Sequence, residues 1–217
     1  MMHMRQQANR VWWLIASLAW IGFLILAVSV WIQAPWVSHF DQTLQQIAIT
    51  VRQPSRTIFF AKLAFWGTAT FNLLICGVIA LWLWLTHHHL AAGFVLTAQV
   101  GINMLTTIFK LLIQRARPAG KLVAQGGYSF PSGHTTATAM LVLILLLVVI
   151  PLCHHLSWRL LLSVLSLAWL VMIGFDRIYL FVHYPSDVLA GLCLALGWWS
   201  ILQLTIGKTV AKQPEYL

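Results

Sequence analysis

Six stretches of the 217-residue chain carry nearly unbroken apolar side chains, over about 11–32, 58–85, 90–113, 134–152, 160–180 and 186–206. A bilayer core about 30 Å thick is crossed by about 20 apolar residues in helical form, so each stretch is long enough to span. Backbone surrounded by lipid must satisfy its own hydrogen bonds, which favours helices. The strict alternation and short turns of a membrane barrel are missing. The pattern predicts an all-α, polytopic membrane bundle of six transmembrane helices, with residues 1–217 forming one domain. Tryptophans mark its edges: Trp12 and Trp13 open the first stretch, Trp31 and Trp36 follow it, Trp82 and Trp84 close the second, and Trp158 opens the fifth. Such aromatic belts sit at headgroup level. The first stretch follows Arg5 and Arg10 as a signal peptide would, but it exceeds the usual apolar run of roughly 7–15 residues and no small-residue cleavage site follows. It is expected as a retained helix. Residues 33–57, with Asp41, Gln45, Gln46, Arg52 and Arg56, form the longest polar connection and are expected along the interface. Cys76, Cys153 and Cys193 fall inside spans, as packing groups rather than a disulfide framework.

Composition agrees with this pattern. Hydrophobic residues make up 60% of the chain and charged residues only 8%, where a soluble domain carries roughly a quarter charged residues. That excludes a water-facing globule, and the high hydrophobicity excludes disorder. With 13 basic against 4 acidic residues the formal net charge is +9. Such basicity would suggest nucleic acid in a soluble protein, but too little polar surface is left for that, and no nucleic-acid partner is expected. Positive-inside counting does not orient the bundle. With the N-terminus inside, that side holds Arg5, Arg10, Arg159, Lys208 and Lys212, against Arg52, Arg56, Lys62, Lys110, Arg115, Arg117, Lys121 and Arg177 outside. Setting aside the candidate ligands Lys110, Arg117 and Arg177 leaves the two sides equal.

Ionisable residues inside or at the edge of a span are costly and mark function. Three clusters fall at one end of the bundle if the spans alternate in direction. In the first, Asn103, Thr107, Lys110, Gln114 and Arg117 repeat at helical intervals as a polar stripe, and Pro118 biases Arg117 out of helix. Snorkelling to the headgroups is the simpler reading of Lys110 and Arg117 taken alone. In the second, Pro131-Ser132-Gly133-His134 opens the fourth span. A helix N-terminus offers free N–H groups to an anion, Gly133 permits close backbone approach, Ser132 adds a hydroxyl, and His134 stands beside them. In the third, Arg177 precedes His183-Tyr-Pro-Ser-Asp187, where a carboxylate four residues on can hold one imidazole nitrogen and leave the other free.

Taken together the clusters resemble the signature of the type 2 phosphatidic acid phosphatase family, which is similar in turn to the vanadium haloperoxidases. The pattern is Lys, six residues, Arg-Pro; then Pro-Ser-Gly-His; then Ser-Arg, five residues, His, three residues, Asp. Lys110, Arg117 and Pro118, Pro131 to His134, and Arg177, His183 and Asp187 match it at every internal spacing. Asp176 stands where the family usually has serine, and a second carboxylate there would repel phosphate unless paired with Arg177 or Lys110. The resemblance implies that His183 attacks phosphorus to form a phosphohistidine and that Asp187 orients its ring. It implies that His134 protonates the leaving oxygen and then activates water, while Lys110, Arg117, Ser132, Gly133 and Arg177 bind the phosphate. No cofactor or metal is implied. The acids Asp41, Asp176, Asp187 and Glu215 are too few and scattered for a two-metal phosphatase. The runs His87–His89 and His154–His155 could ligate a metal, but they fall in turns at the opposite face. Small bacterial relatives suggest undecaprenyl diphosphate or phosphatidylglycerol phosphate, with phosphatidic acid also open. They also suggest a multi-pass cell-membrane protein with an inside N-terminus and an extracytoplasmic active site. Two other readings remain: a lipid or anion transporter whose basic cluster is a translocation site, and a non-catalytic lipid-binding relative hinted at by Asp176.

Overall fold

The computed structural model describes residues 2–207, with side chains from residue 9 onward. Lys208, Lys212 and Glu215 lie outside the described residues, as does the side chain of Arg5. The regular structure among the described residues is all helical: α1 (Met2–Trp31), α2 (Pro35–Thr50), α3 (Pro54–Leu63), α4 (Ala69–Leu85), α5 (His89–Ile113), α6 (Gly133–Ile144), α7 (Leu156–Tyr179) and α8 (Pro185–Thr205). Five helices are long and apolar enough to cross a membrane, α6 counting as one because wider and tighter helical turns continue it to Leu152. A sixth span results if α3, the tight turn Ala64–Gly67 and α4 are taken as one. Each span begins and ends close to where the apolar pattern places it.

The second span is not straight. Its halves meet at 47°, because Thr68 is extended and its hydroxyl accepts the N–H of Phe71, capping a new helix at 3.2 Å. Gly67, just before this cap, lies against α6 and α7. A Cβ there would stand 2.9 Å from Ile173 and 3.4 Å from the ring of His134.

The polar connection 33–57 is more ordered than expected. Residues 35–50 form α2, whose buried residues Val37, Asp41, Gln45 and Ala48 fall on one helical face. Proline opens α2, α3 and α8, where its missing N–H costs no helical bond.

α8 is the packing centre, lying along α1 and α6 and touching α5, α2 and α7. Phe23, Ile102, Met140, Leu194 and Trp199 form the main core. Phe130 is buried among them, with Phe23 at a ring separation of 5.9 Å, so the segment leading into α6 is anchored from inside the bundle. By contrast α7 presents Leu160, Val164, Leu165, Leu167 and Val171 outward, a surface suited to lipid. The histidine runs lie in the α4–α5 and α6–α7 turns. There the His89 ring packs on Trp84 with centroids 4.4 Å apart.

Small residues let α8 approach closely. At Gly191 a Cβ would stand 2.8 Å from Thr136 Oγ1 and 3.1 Å from the Ser132 carbonyl oxygen, which is backbone and cannot swing aside. Gly191→Ala is therefore expected to cost about 1–3 kcal/mol of overpacking. It should lower the midpoint of thermal unfolding in detergent, whereas Gly77→Ala, facing open space, should leave the midpoint unchanged or raise it.

Candidate active site

The three clusters converge where the C-termini of α5 and α7 meet the N-termini of α6 and α8. α5 ends at Ile113, four residues earlier than a helix reaching Arg117 would require, because Gln114 adopts a left-handed conformation (φ 51°). The expected helical stripe therefore holds for Asn103, Thr107 and Lys110 but not for Gln114 and Arg117. Gln114 turns outward, and Arg117 reaches the site from the following loop. Lys110 Nζ donates to the carbonyl oxygen of Tyr128 at 2.7 Å. Arg117 donates to the carbonyl oxygens of Gly126 and Gly127 (3.0 Å each), Tyr128 (3.2 Å) and Val182 (2.6 Å). Neither side chain snorkels away. Loop carbonyls replace water around both cations.

Ser132 is the N-cap of α6. Its hydroxyl meets Thr135 Oγ1 at 2.9 Å and accepts the Thr135 N–H at 3.4 Å, and Ser132 is fully buried. The hydroxyl expected to bind phosphate is thus engaged in the cap. The Thr136 N–H bonds the Ser132 carbonyl, leaving those of Gly133 and His134 as the free first-turn donors. Gly133 sits beside Lys110, with a Cβ position 3.8 Å from its Cε.

From α7, Arg177 points into the same space, buried and paired with its neighbour. Its Nε donates to Asp176 Oδ2 at 2.8 Å, and Nη2 bonds the same oxygen. Asp176 therefore pairs with Arg177, one of the two partners expected for it, while its Oδ1 has no partner. The Arg177 carbonyl accepts the N–H groups of Val182 and His183, closing the tight turn between α7 and α8.

His183 is buried in that turn. Its Nδ1 lies 3.4 Å from Asp187 Oδ2 and its Nε2 lies 3.1 Å from Arg117 Nη1. A guanidinium can only donate, so Nε2 offers its lone pair and Nδ1 carries the proton toward the carboxylate. Burial pushes the imidazole pKa down to about 4. Asp187 opposes that shift, while Lys110 and Arg117 add to it. Burial likewise lowers the Arg117 pKa, against the pull of Asp187.

Two further residues complete the site. Arg115 Nη1 donates to Asp187 Oδ1 (2.6 Å) and to Ser186 Oγ (2.8 Å), and its Nη2 donates to Asp41 Oδ2 (2.6 Å). Asp41, from α2, also accepts the Ser186 N–H and hydroxyl at 2.8 Å each. The Arg115 guanidinium stacks on the Tyr184 ring, 3.9 Å from its centroid. Burial opposes the charge on Arg115, but Asp187 and Asp41 outweigh it and raise its pKa. Burial raises the Asp41 pKa despite these partners. Sequence reasoning placed Arg115 among loop cations and Asp41 along the interface. The available signal was the four-residue rhythm of Val37, Asp41 and Gln45, an acid on an otherwise inward-facing helical stripe.

The chain matches a known family and several known proteins. The model of the PAP2 superfamily matches residues 90–209. The chain is 27% identical over 177 residues to phosphatidylglycerophosphatase B of Bacillus subtilis (strain 168), covering 80% of this chain and 86% of that one. Among solved structures, a transmembrane PAP2-type phosphatidylglycerolphosphate phosphatase from Bacillus subtilis superposes with a TM-score of 0.71 at 24% identity. It covers 92% of this chain and 98% of that one. Aquifex aeolicus LpxE superposes with a TM-score of 0.53 at 22% identity, over 74% and 93% of the respective chains.

Two measurable consequences follow from this geometry. Asp176→Ser frees Arg177, and a charge-assisted hydrogen bond contributes about 1.5–3 kcal/mol net. The inhibition constant of inorganic phosphate should accordingly fall at least several-fold. The unliganded variant should melt at lower temperature, because a buried arginine has lost its counter-ion. The second consequence concerns pH. The pKa of folded His183 lies below its ordinary value of 6.5, so the folded chain refuses a proton that the unfolded chain accepts. Stability is full above 6.5 and is lost as pH falls toward 4. The acid limb of kcat/KM due to His183 should lie near 4 rather than 6.5, as read from a pH–rate profile.

Proposed function

The chain belongs to the PAP2 superfamily and is a phosphatase of the kind found among membrane lipid phosphatases; from that premise we propose that it hydrolyses a membrane lipid phosphate or diphosphate through a phosphohistidine on His183. The observation that carries this reading is the orientation of His183. Its Nδ1 faces Asp187, and its Nε2 lies 3.1 Å from Arg117 Nη1, with the Lys110 charge also acting on the ring.

Phosphoryl transfer depends on alignment and on positive charge around the equatorial oxygens. Phosphate oxygens take the place of the Tyr128 and loop carbonyls on Lys110 and Arg117, meet Arg177, and accept the free N–H of Gly133. Arg117 moves from Nε2 onto a phosphate oxygen as phosphorus approaches. The Nε2 lone pair then forms the N–P bond while the bond to the leaving oxygen breaks, and His134 gives that oxygen its proton. Asp187 stabilises the positive charge that grows on the His183 ring. His134 next takes a proton from water, and the hydroxide displaces Nε2 to release inorganic phosphate.

The substrate class follows from access. A groove of about 240 Å³ between α4 and α5 is lined by Leu73, Asn103, Thr106, Thr107, Lys110 and Gly133. It shares Leu73, Asn103 and Thr107 with an outer groove of about 400 Å³ on the same helices. A lipid tail lying there keeps its carbon chain in the bilayer while its phosphate meets Lys110 and the α6 N-terminus. Phosphatidylglycerol phosphate is favoured by likeness to the Bacillus subtilis enzyme that bears its name, with undecaprenyl diphosphate the second candidate. The site is assigned to the extracytoplasmic face of the cell membrane, with the N-terminus inside.

The decisive experiment is phosphate release by purified protein, in the presence of EDTA, from phosphatidylglycerol phosphate, undecaprenyl diphosphate and phosphatidic acid in detergent. Wild type should be active on at least one. His183→Ala should lose at least a thousandfold, and an acid-labile phosphate should be trapped on His183 when wild type is quenched with acid. Full activity in His183→Ala would overturn the assignment.

A further inference from the structure

Asp187 is fully buried, and only one of its oxygens serves His183. Its Oδ2 faces His183 Nδ1 and accepts the Tyr184 N–H at 2.9 Å, while Oδ1 accepts Arg115 Nη1 at 2.6 Å. Arg115 is held in turn by Asp41, and Asp41 is fixed to the start of α8 by two bonds to Ser186. This forms a closed circuit through Asp41, Arg115, Asp187 and Ser186. Neither Asp41 nor Arg115 belongs to the Lys-Arg-Pro, Pro-Ser-Gly-His or Arg-His-Asp pattern.

We propose that Asp41 and Arg115 are positioning residues for the phosphatase reaction, a brace from α2 that fixes Asp187 and through it the ring of His183. A carboxylate with one oxygen unpartnered could rotate about its Cβ–Cγ bond and trade Nδ1 for another donor. With Arg115 on Oδ1 and the Tyr184 N–H on Oδ2, only one orientation satisfies both. The brace also sets the charge felt by His183. Arg115 offsets part of the Asp187 charge, and Asp41 offsets part of the Arg115 charge. The other charged or titratable groups acting on His183 are Arg117 from the loop after α5, Lys110 from α5 and His134 from α6, while Arg177 from α7 acts on His134 and Arg117. None of these contacts Asp41 through a hydrogen bond.

The inference rests on the phosphohistidine reading, so His183→Ala runs beside every variant. Dioctanoyl phosphatidic acid in detergent micelles serves as the probe. Arg115→Gln is expected to lower kcat at least tenfold with KM changed by less than about threefold, because the brace stands behind the dyad and away from the phosphate. Its acid limb should move up by about half a pH unit as the Asp187 charge acts on His183 unopposed. Asp41→Asn keeps the shape but removes the counter-charge of Arg115, and its limb should move the opposite way. The double variant should bring the limb back toward wild type while kcat stays low. A folded fraction measured for each variant by size exclusion and thermal melt separates misfolding from misalignment. Wild-type kcat and limb in folded variants would overturn the brace, as would kcat losses that match lost folded protein with no limb shift. Activity surviving in His183→Ala would instead overturn the phosphohistidine reading beneath it.

Discussion

Every acidic side chain among the described residues is buried, and each lies against an arginine: Asp41 and Asp187 on Arg115, and Asp176 on Arg177. Taking an ion out of water costs several kcal/mol after relaxation, and an unpaired one is not tolerated inside a lipid-spanning chain. This requirement governs the end of the bundle where the helices converge. Lys110, Arg115, Arg117 and Arg177 face three carboxylates there, which leaves one positive charge in excess. The surplus is carried by Lys110 and Arg117, and these are the two cations that loop carbonyls surround. Carbonyl oxygens are weak stand-ins for an anion. On the proposed reading, a phosphate would replace them with stronger acceptors and cancel the excess in the same step.

The loop between α5 and α6 serves as the inner lining of the site. It is held at one end by the left-handed Gln114 and at the other by Phe130 in the core. Between those points it turns backbone carbonyls toward Lys110 and Arg117. α8 supplies the opposite wall, with Asp187 in its first turn and Gly191 one turn further on, allowing α6 to close down on it. Packing and chemistry are thus linked at two adjoining turns of one helix.

Much of this was legible in the sequence. Runs of apolar residues longer than a bilayer is thick admit few alternatives, so the spans were placed closely. Lys110 and Arg117 before Pro118, His134 after Pro131, and Arg177 with His183 and Asp187 stood out because ionisable groups at span edges are costly. The rest depended on contacts between distant segments. Nothing local to Gln114 announces a left-handed turn, so the helical stripe was carried through Gln114, and only Pro118 argued that Arg117 leaves the helix. The break at Thr68 uses an ordinary cap inside an apolar run, where composition masks it. Ser132 carries the same hydroxyl whether it caps a helix or meets phosphate, and only its hydrogen bonds to Thr135 distinguish the two. Arg115 and Asp41 are 74 residues apart, a pairing that no window along the chain can reveal.

That separation bears on where this catalytic unit begins. The family model starts at residue 90, and every motif residue lies within it. Asp41 lies well upstream, on the 16-residue α2, which is shorter than the candidate spans, yet it bonds the arginine that bonds Asp187. A fragment trimmed to the matched region would keep all the signature side chains and lose the support behind them. Transplanting the motifs into another six-helix scaffold would meet the same deficit unless a carboxylate were supplied at the position α2 occupies.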